Sequence, residues 1–148
     1  GRKYSGEDIH NYFGYNFKIT DMQSVLALGQ LKIIKSLIKK KKIIFNRYKQ
    51  KLKNNPNIQI FDMKQNETPW SMDVYFKGVK KIKKILEQNK IYTRYVYPPL
   101  NSQKIYKHFK NLPVSNYFCK NGLWLPSSLD LKIQDIDRVC KILNKNII

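Results

Sequence analysis

Thr20–Leu52 reads TDMQSVLALGQLKIIKSLIKKKKIIFNRYKQKL, a stretch with no proline. Thr20 and Gln23 make the Thr-x-x-Gln pattern of a capping box, in which side chain and backbone satisfy each other's free N–H groups at a helix start. Behind it Leu26, Ile33, Leu37, Ile44, Tyr48 and Leu52 recur at helical spacing and mark one apolar face. Asn54, Asn55 and Pro56 then stop the helix. A helix of about 30 residues is about 45 Å long, whereas a compact domain of this chain's size has a radius of gyration of about 15 Å. Part of it is therefore expected to lean on something beyond its own domain. This fixes the organisation: an aromatic segment over 1–19 at a domain or dimer interface, a connecting helix over 20–54, and a small domain over 55–148.

The small domain reads as follows. Ile58, Ile60 and Phe61 suggest a strand. Trp70–Phe76 suggests another, with Trp70, Met72, Val74 and Phe76 on one side. After Gly78, Val79, Ile82, Ile85 and Leu86 form the buried stripe of a short helix that Asn89 caps. Ile91–Tyr97 is β-branched and aromatic, a strand closed by Pro98 and Pro99. Ser102–Phe109 and Ser115–Lys120 suggest helical turns, the first with Ile105 and Tyr106 inward. Leu123–Leu125 is a short strand, and Ile136, Val139, Cys140 and Leu143 mark a last helix. The fold class is α/β (α+β): a long helix followed by a small, mainly antiparallel sheet with helices on one face.

The 148 residues carry 29 Lys and Arg against 10 Asp and Glu, a net charge of +19. Such an excess suggests nucleic acid, but only Arg2, Arg47, Arg94 and Arg138 are arginines, the residue that reads base edges and clamps phosphates. The lysines read first as a solvated surface, and the run Lys39–Lys42 as an exposed turn of the long helix. No apolar run approaches the roughly 18 residues of a membrane span, and the first residues show no signal-peptide segment, so a cytoplasmic protein is expected. His10 and His108 lack metal-ligand spacing, as do Cys119 and Cys140. Cys140 lies on a buried stripe, and Asp130, Asp135 and Asp137 suit the N-terminus of the last helix. No phosphate-loop motif is present.

Two stretches exceed what folding requires. Gly14-Tyr15-Asn16-Phe17-Lys18 precedes the capped helix, and suits either anion contact at a helix start or a hydrophobic staple. In Thr93-Arg94-Tyr95-Val96-Tyr97-Pro98-Pro99-Leu100, an arginine on an apolar strand calls for an anionic partner, or snorkels to solvent from an edge strand.

These residues resemble a known family. His10-x-x-x-Gly14-Tyr15-Asn16-Phe17-x-x-Thr20-Asp21-x-Gln23 with Gly29-Gln30-Leu31, Pro69-Trp70-Ser71-Met72-Asp73-Val74, the Arg94 stretch with Gln103, and Leu123-Trp124-Leu125-Pro126-Ser127-Ser128 are similar to segments of the DegT-type sugar aminotransferases. These are pyridoxal phosphate enzymes of the aspartate aminotransferase fold. The resemblance covers residues 10–148 and is nearest to perosamine synthases, which aminate a nucleotide-linked 4-keto-6-deoxyhexose. It implies that Asn16 reaches the cofactor phosphate of a neighbouring subunit, and that Arg94, Tyr97 and Asn101 lie by the nucleotide-sugar. It implies glutamate or a similar amino donor, and a homodimer or a large-domain partner chain. Lys18 stands where an arginine is common, and Asn101 where a histidine is frequent. The family's Schiff-base lysine lies in a context that no lysine here has, so no catalytic residue is assigned and this chain alone is expected to be inactive. The alternatives are a basic polyanion-binding module or an inactive dimerising remnant.

Overall fold

The computed structural model describes residues 18–102 and 111–147. The chain forms two compact units, residues 1–35 and 36–148. Helix α1 (Asp21–Leu52) begins as the sequence predicts. The Thr20 N–H donates to Gln23 Oε1 at 3.0 Å and the Gln23 N–H to Thr20 Oγ1 at 3.3 Å. Within the first unit Met22, Val25, Leu26, Leu28 and Leu31 are exposed, so Leu26 does not join the buried face that its spacing suggests.

In the second unit α1 buries Ile44, Tyr48 and Leu52. The other elements are β1 (Met72–Tyr75), α2 (Val79–Gln88), β2 (Arg94–Tyr95), a 3₁₀ turn (Leu100–Ser102), α3 (Pro113–Asn121), β3 (Gly122–Leu125) and α4 (Ile133–Asn146). The strands form an antiparallel sheet in the order β1-β3-β2. Strand alternation sends Met72 and Val74 of β1, and Leu123 and Leu125 of β3, to one face. There they join Tyr48, Leu52, Ile82, Leu86, Ile136 and Leu143 in one core. The Tyr48 hydroxyl donates to the Pro126 carbonyl at 2.9 Å, so the buried phenol is satisfied. Cys140 is buried as expected.

Several elements are shorter than their patterns. The strand expected over 58–61 is a single bridge, Gln59 to Tyr75, because only one residue of the segment after Pro56 meets the sheet edge. The strand expected over 91–97 is reduced to Arg94–Tyr95, paired with Trp124 and Leu123. Its partner β3 is only four residues long, and Lys90 with φ 59° turns the chain just before. Trp70 lies ahead of β1 and is 88% exposed, not on the buried side with Met72 and Val74. Helix α3 starts two residues earlier than Ser115, with Pro113 at its first position, where the fixed φ of proline suits a helix start. The turn expected over 102–109 lies largely outside the described residues.

Asp137 also departs from its expected place. It takes a two-pronged contact from Arg47 of α1, Nε to Oδ1 at 2.7 Å and Nη2 to Oδ2 at 2.5 Å. That hydrogen bond holds the Asp137 carboxyl below its ordinary range. Asp135 keeps the helix-start role, accepting the Lys132 N–H at 3.3 Å.

Candidate functional site

The sheet face away from the core carries the side chains that folding does not consume. Leu123 and Leu125 point inward, so Trp124 between them points outward. The register sets it between Asp73 of β1 and Arg94 of β2. The Arg94 guanidinium lies 4.9 Å from the Tyr97 ring centre and 5.4 Å from that of Trp124. The two rings meet edge to face at 4.9 Å. Such a platform attracts and orients a cation, more so when it is partly desolvated. Arg94 is exposed and has no carboxylate within ion-pair distance among the described residues. The nearby Asp73 is taken by the Ser71 hydroxyl at 2.5 Å.

Arg94 and Trp124 line an open cleft of about 540 Å³, with Trp70, Tyr92 and Thr93 on one side and Pro126, Ser127 and Ser128 on another. That volume lies within the range of roughly 300–1,000 Å³ usual for small-molecule sites. Lys41 of α1 braces its rim. Its ammonium donates to the Ser127 carbonyl at 2.8 Å and the Trp70 carbonyl at 3.2 Å. The run Lys39–Lys42 is thus no simple exposed turn: Lys41 and Lys42 are half-buried, and Lys42 ties down the Gln65 carbonyl. Thr93 Oγ1 and Trp124 Nε1 are buried without a hydrogen bond among the described residues. Gly122 sets the width of the outer face at its other end, where Phe61, Tyr75 and Phe118 pack edge to face.

The structure brings together two of the four residues singled out from sequence, Arg94 and Tyr97. Asn101 sits half-buried in the 3₁₀ turn, and its Oδ1 accepts no hydrogen bond among the described residues. It is not among the cleft's lining residues. Asn16 lies outside the described residues. Trp70, Tyr92, Lys41 and Trp124 were not assigned a site role from sequence. For Trp124 the signal was available: a large aromatic between two core leucines on a strand must face the other way. For Lys41 there was none, because its acceptors are carbonyls of distant loops.

A family model for the DegT/DnrJ/EryC1/StrS aminotransferases matches residues 1–144. The dTDP-4-amino-4,6-dideoxy-D-glucose transaminase of Escherichia coli is 30% identical over 143 residues, 88% of this chain and 38% of that protein. The GDP-perosamine synthase of Escherichia coli O157:H7 is 22% identical over 142 residues, 92% of this chain and 38% of that protein. The crystal structure of a DegT DnrJ EryC1 StrS aminotransferase from Brucella abortus shares the fold, with a TM-score of 0.84 at 22% identity over 98% of this chain and 40% of that one. The chain thus spans less than half the length of the proteins it matches. With the matched residues running from the first position almost to the end of α4, the chain belongs to the DegT/DnrJ/EryC1/StrS aminotransferase family.

Proposed function

We propose that this chain is the C-terminal part of a sugar aminotransferase that transfers an amino group, from a donor such as glutamate, to a nucleotide-linked 4-keto-6-deoxyhexose of the perosamine type. Members of the family use pyridoxal phosphate, which supplies the electron sink for amino transfer when bound. A site for it needs a lysine free to form an imine, a partner for the ring nitrogen and a phosphate cup. The cleft's lysine, Lys41, has its ammonium committed to two carbonyls, and among the described residues none that lines the cleft is a carboxylate. The described residues do not by themselves fit the cofactor, and the imine-forming lysine is assigned to protein outside these 148 residues. On the family resemblance Asn16 reaches the cofactor phosphate of a neighbouring subunit, while Arg94, Tyr97 and Asn101 face the nucleotide-sugar.

The observation that carries this reading is the Arg94 guanidinium, held on two aromatic rings in a cleft and without a carboxylate partner among the described residues. The exposed apolar residues of α1 in the first unit fit a surface covered by a large domain or a second subunit. No helix among the described residues is long and apolar enough to cross a membrane, and a cytoplasmic enzyme is proposed. Co-expression with a lysine-bearing large-domain polypeptide tests it. The purified complex is expected to show the cofactor's absorbance and to aminate a dTDP- or GDP-linked 4-keto-6-deoxyhexose, while the chain alone does neither. Amino transfer by the chain alone, or a complex that binds cofactor but no nucleotide-sugar, would refute it.

A further inference from the structure

We propose that Trp70 and Tyr92 form a stacking site for the base of a nucleoside diphosphate whose phosphates are received by Arg94. The inference rests on the reading above that the substrate is nucleotide-linked, and it gives the base of that ligand to Trp70 and Tyr92, neither of which was assigned a site role from sequence. Trp70 is 88% and Tyr92 78% exposed, and both line the Arg94 cleft. Large aromatics left so open to water are uncommon without a partner. Neither ring stacks on another among the described residues, so both present free faces. Trp124, by contrast, is occupied by Arg94 and Tyr97. The position of Trp70 is set by the fold, since Lys41 holds its backbone carbonyl.

The chemistry of the cleft favours one nucleotide. Every base has a π-face that an aromatic side chain can stack on, and a planar guanidinium matches phosphate oxygens with two parallel N–H donors. A polynucleotide would need a charged groove that tracks its backbone. Here the second cation, Lys41, is spent on carbonyls, which leaves Arg94 to meet the anion.

Both tryptophans of the chain line this cleft, so tryptophan emission reports on it alone. Titrating the 148-residue chain with dTDP, GDP and inorganic pyrophosphate is expected to quench that emission. Both nucleoside diphosphates should bind at least about tenfold more tightly than pyrophosphate. Trp70→Leu leaves Trp124 as the reporter, and should weaken both about tenfold while leaving pyrophosphate unchanged. Arg94→Ala should weaken all three. Trp70 is exposed, so its loss leaves the core intact.

No binding of either nucleoside diphosphate, or an unchanged affinity in Trp70→Leu, would overturn the proposal. So would a single-stranded oligonucleotide whose affinity climbs with length far beyond that of one nucleotide. The two readings fail separately. Nucleotide binding by this site without amino transfer in the reconstituted complex refutes the aminotransferase and keeps the stacking site. Amino transfer with an unchanged KM in Trp70→Leu refutes the stacking site and keeps the enzyme.

Discussion

Gly122→Ala tests how tightly the outer face of the sheet is built. Gly122 has φ −96° and ψ 141°, extended backbone open to any residue, so an alanine there costs nothing in conformation. Its cost is contact. A Cβ at this position would lie 2.6 Å from Val96 Cγ2, 2.8 Å from the Phe118 carbonyl oxygen and 3.0 Å from Tyr75 Cε1. The valine methyl and the tyrosine ring can give way, but the Phe118 carbonyl is backbone of α3 and cannot rotate aside. Overpacking of this kind costs about 1–3 kcal/mol, and the backbone contact puts this case at about 2–3. For a chain of this length that lowers Tm by roughly 6–12 °C. Two other glycines serve as controls, because the same substitution meets different physics. Gly29 lies in α1 with nothing within 4 Å, so Gly29→Ala removes a poor helix former and should not lower Tm. Gly78 also has open space but φ +79°, so Gly78→Ala should cost about 1–2 kcal/mol through left-handed strain alone. Thermal and urea denaturation of the three variants read the order directly. A Gly122→Ala protein within 0.5 kcal/mol of the parent would refute the packing described for this face.

Three further outcomes follow from the core and its borders. Tyr48→Phe strands the Pro126 carbonyl and should cost about 1–2 kcal/mol in urea denaturation. The Asp137 carboxyl is held below its ordinary value of 3.8 by the Arg47 hydrogen bond, so its stabilisation is full above that value and is lost as pH falls through the lower folded value. The Tm gap between the parent and Asp137→Asn should therefore be widest near neutral pH and close only in strong acid. Burial pushes the Cys140 thiol up to about 12, so iodoacetamide near neutral pH should label Cys119 well before Cys140, with Cys140 reacting only once urea opens the core; mass spectrometry of the two peptides reads this.

The long helix was legible because its signals are local. Thr20 and Gln23 cap it by their own side chains, and Ile44, Tyr48 and Leu52 recur at helical spacing and are buried. The same holds for α2, bounded by Gly78 and Asn89, and for the burial of Cys140 on α4. What failed was set by partners. A strand extends only as far as its neighbour, so the apolar run 91–97 became two paired residues beside a four-residue β3. Leu26 has the spacing of a buried residue but is exposed within the first unit. At the site, Arg94 stood out as an arginine on an apolar strand. Its platform was hidden, because Tyr97 and Trp124 lie far apart in sequence and meet only across the sheet.

The acidic residues show how the charge of +19 should be read. Asp21 opens α1, and Asp135 caps the start of α4. Asp62 pairs with Lys49, Glu87 with Lys83 and Asp137 with Arg47, while Glu67 holds a turn through the Lys64 N–H. These six negative charges are each committed to a local task, at a helix start, in an ion pair or in a turn. Among the described residues no acid lines the cleft that Arg94 shares with Trp70. The lysine excess therefore leaves a positive field around the cleft without an acid inside it. Such a field acts on encounter more than on residence, and salt screens it over about 8–10 Å. Held against the rings of Trp70 and Tyr92, a bound nucleotide would depend on contacts too short to be screened in this way. Raising ionic strength is thus expected to slow the association of a nucleoside diphosphate with this chain, measured by stopped-flow tryptophan emission, while its dissociation rate barely moves. Trp70→Leu should do the reverse, raising the dissociation rate about tenfold at unchanged association. If salt instead accelerated dissociation as strongly as it slowed association, the bound state would be held by diffuse lysine charge, and Arg94 with its two open rings would not be the site.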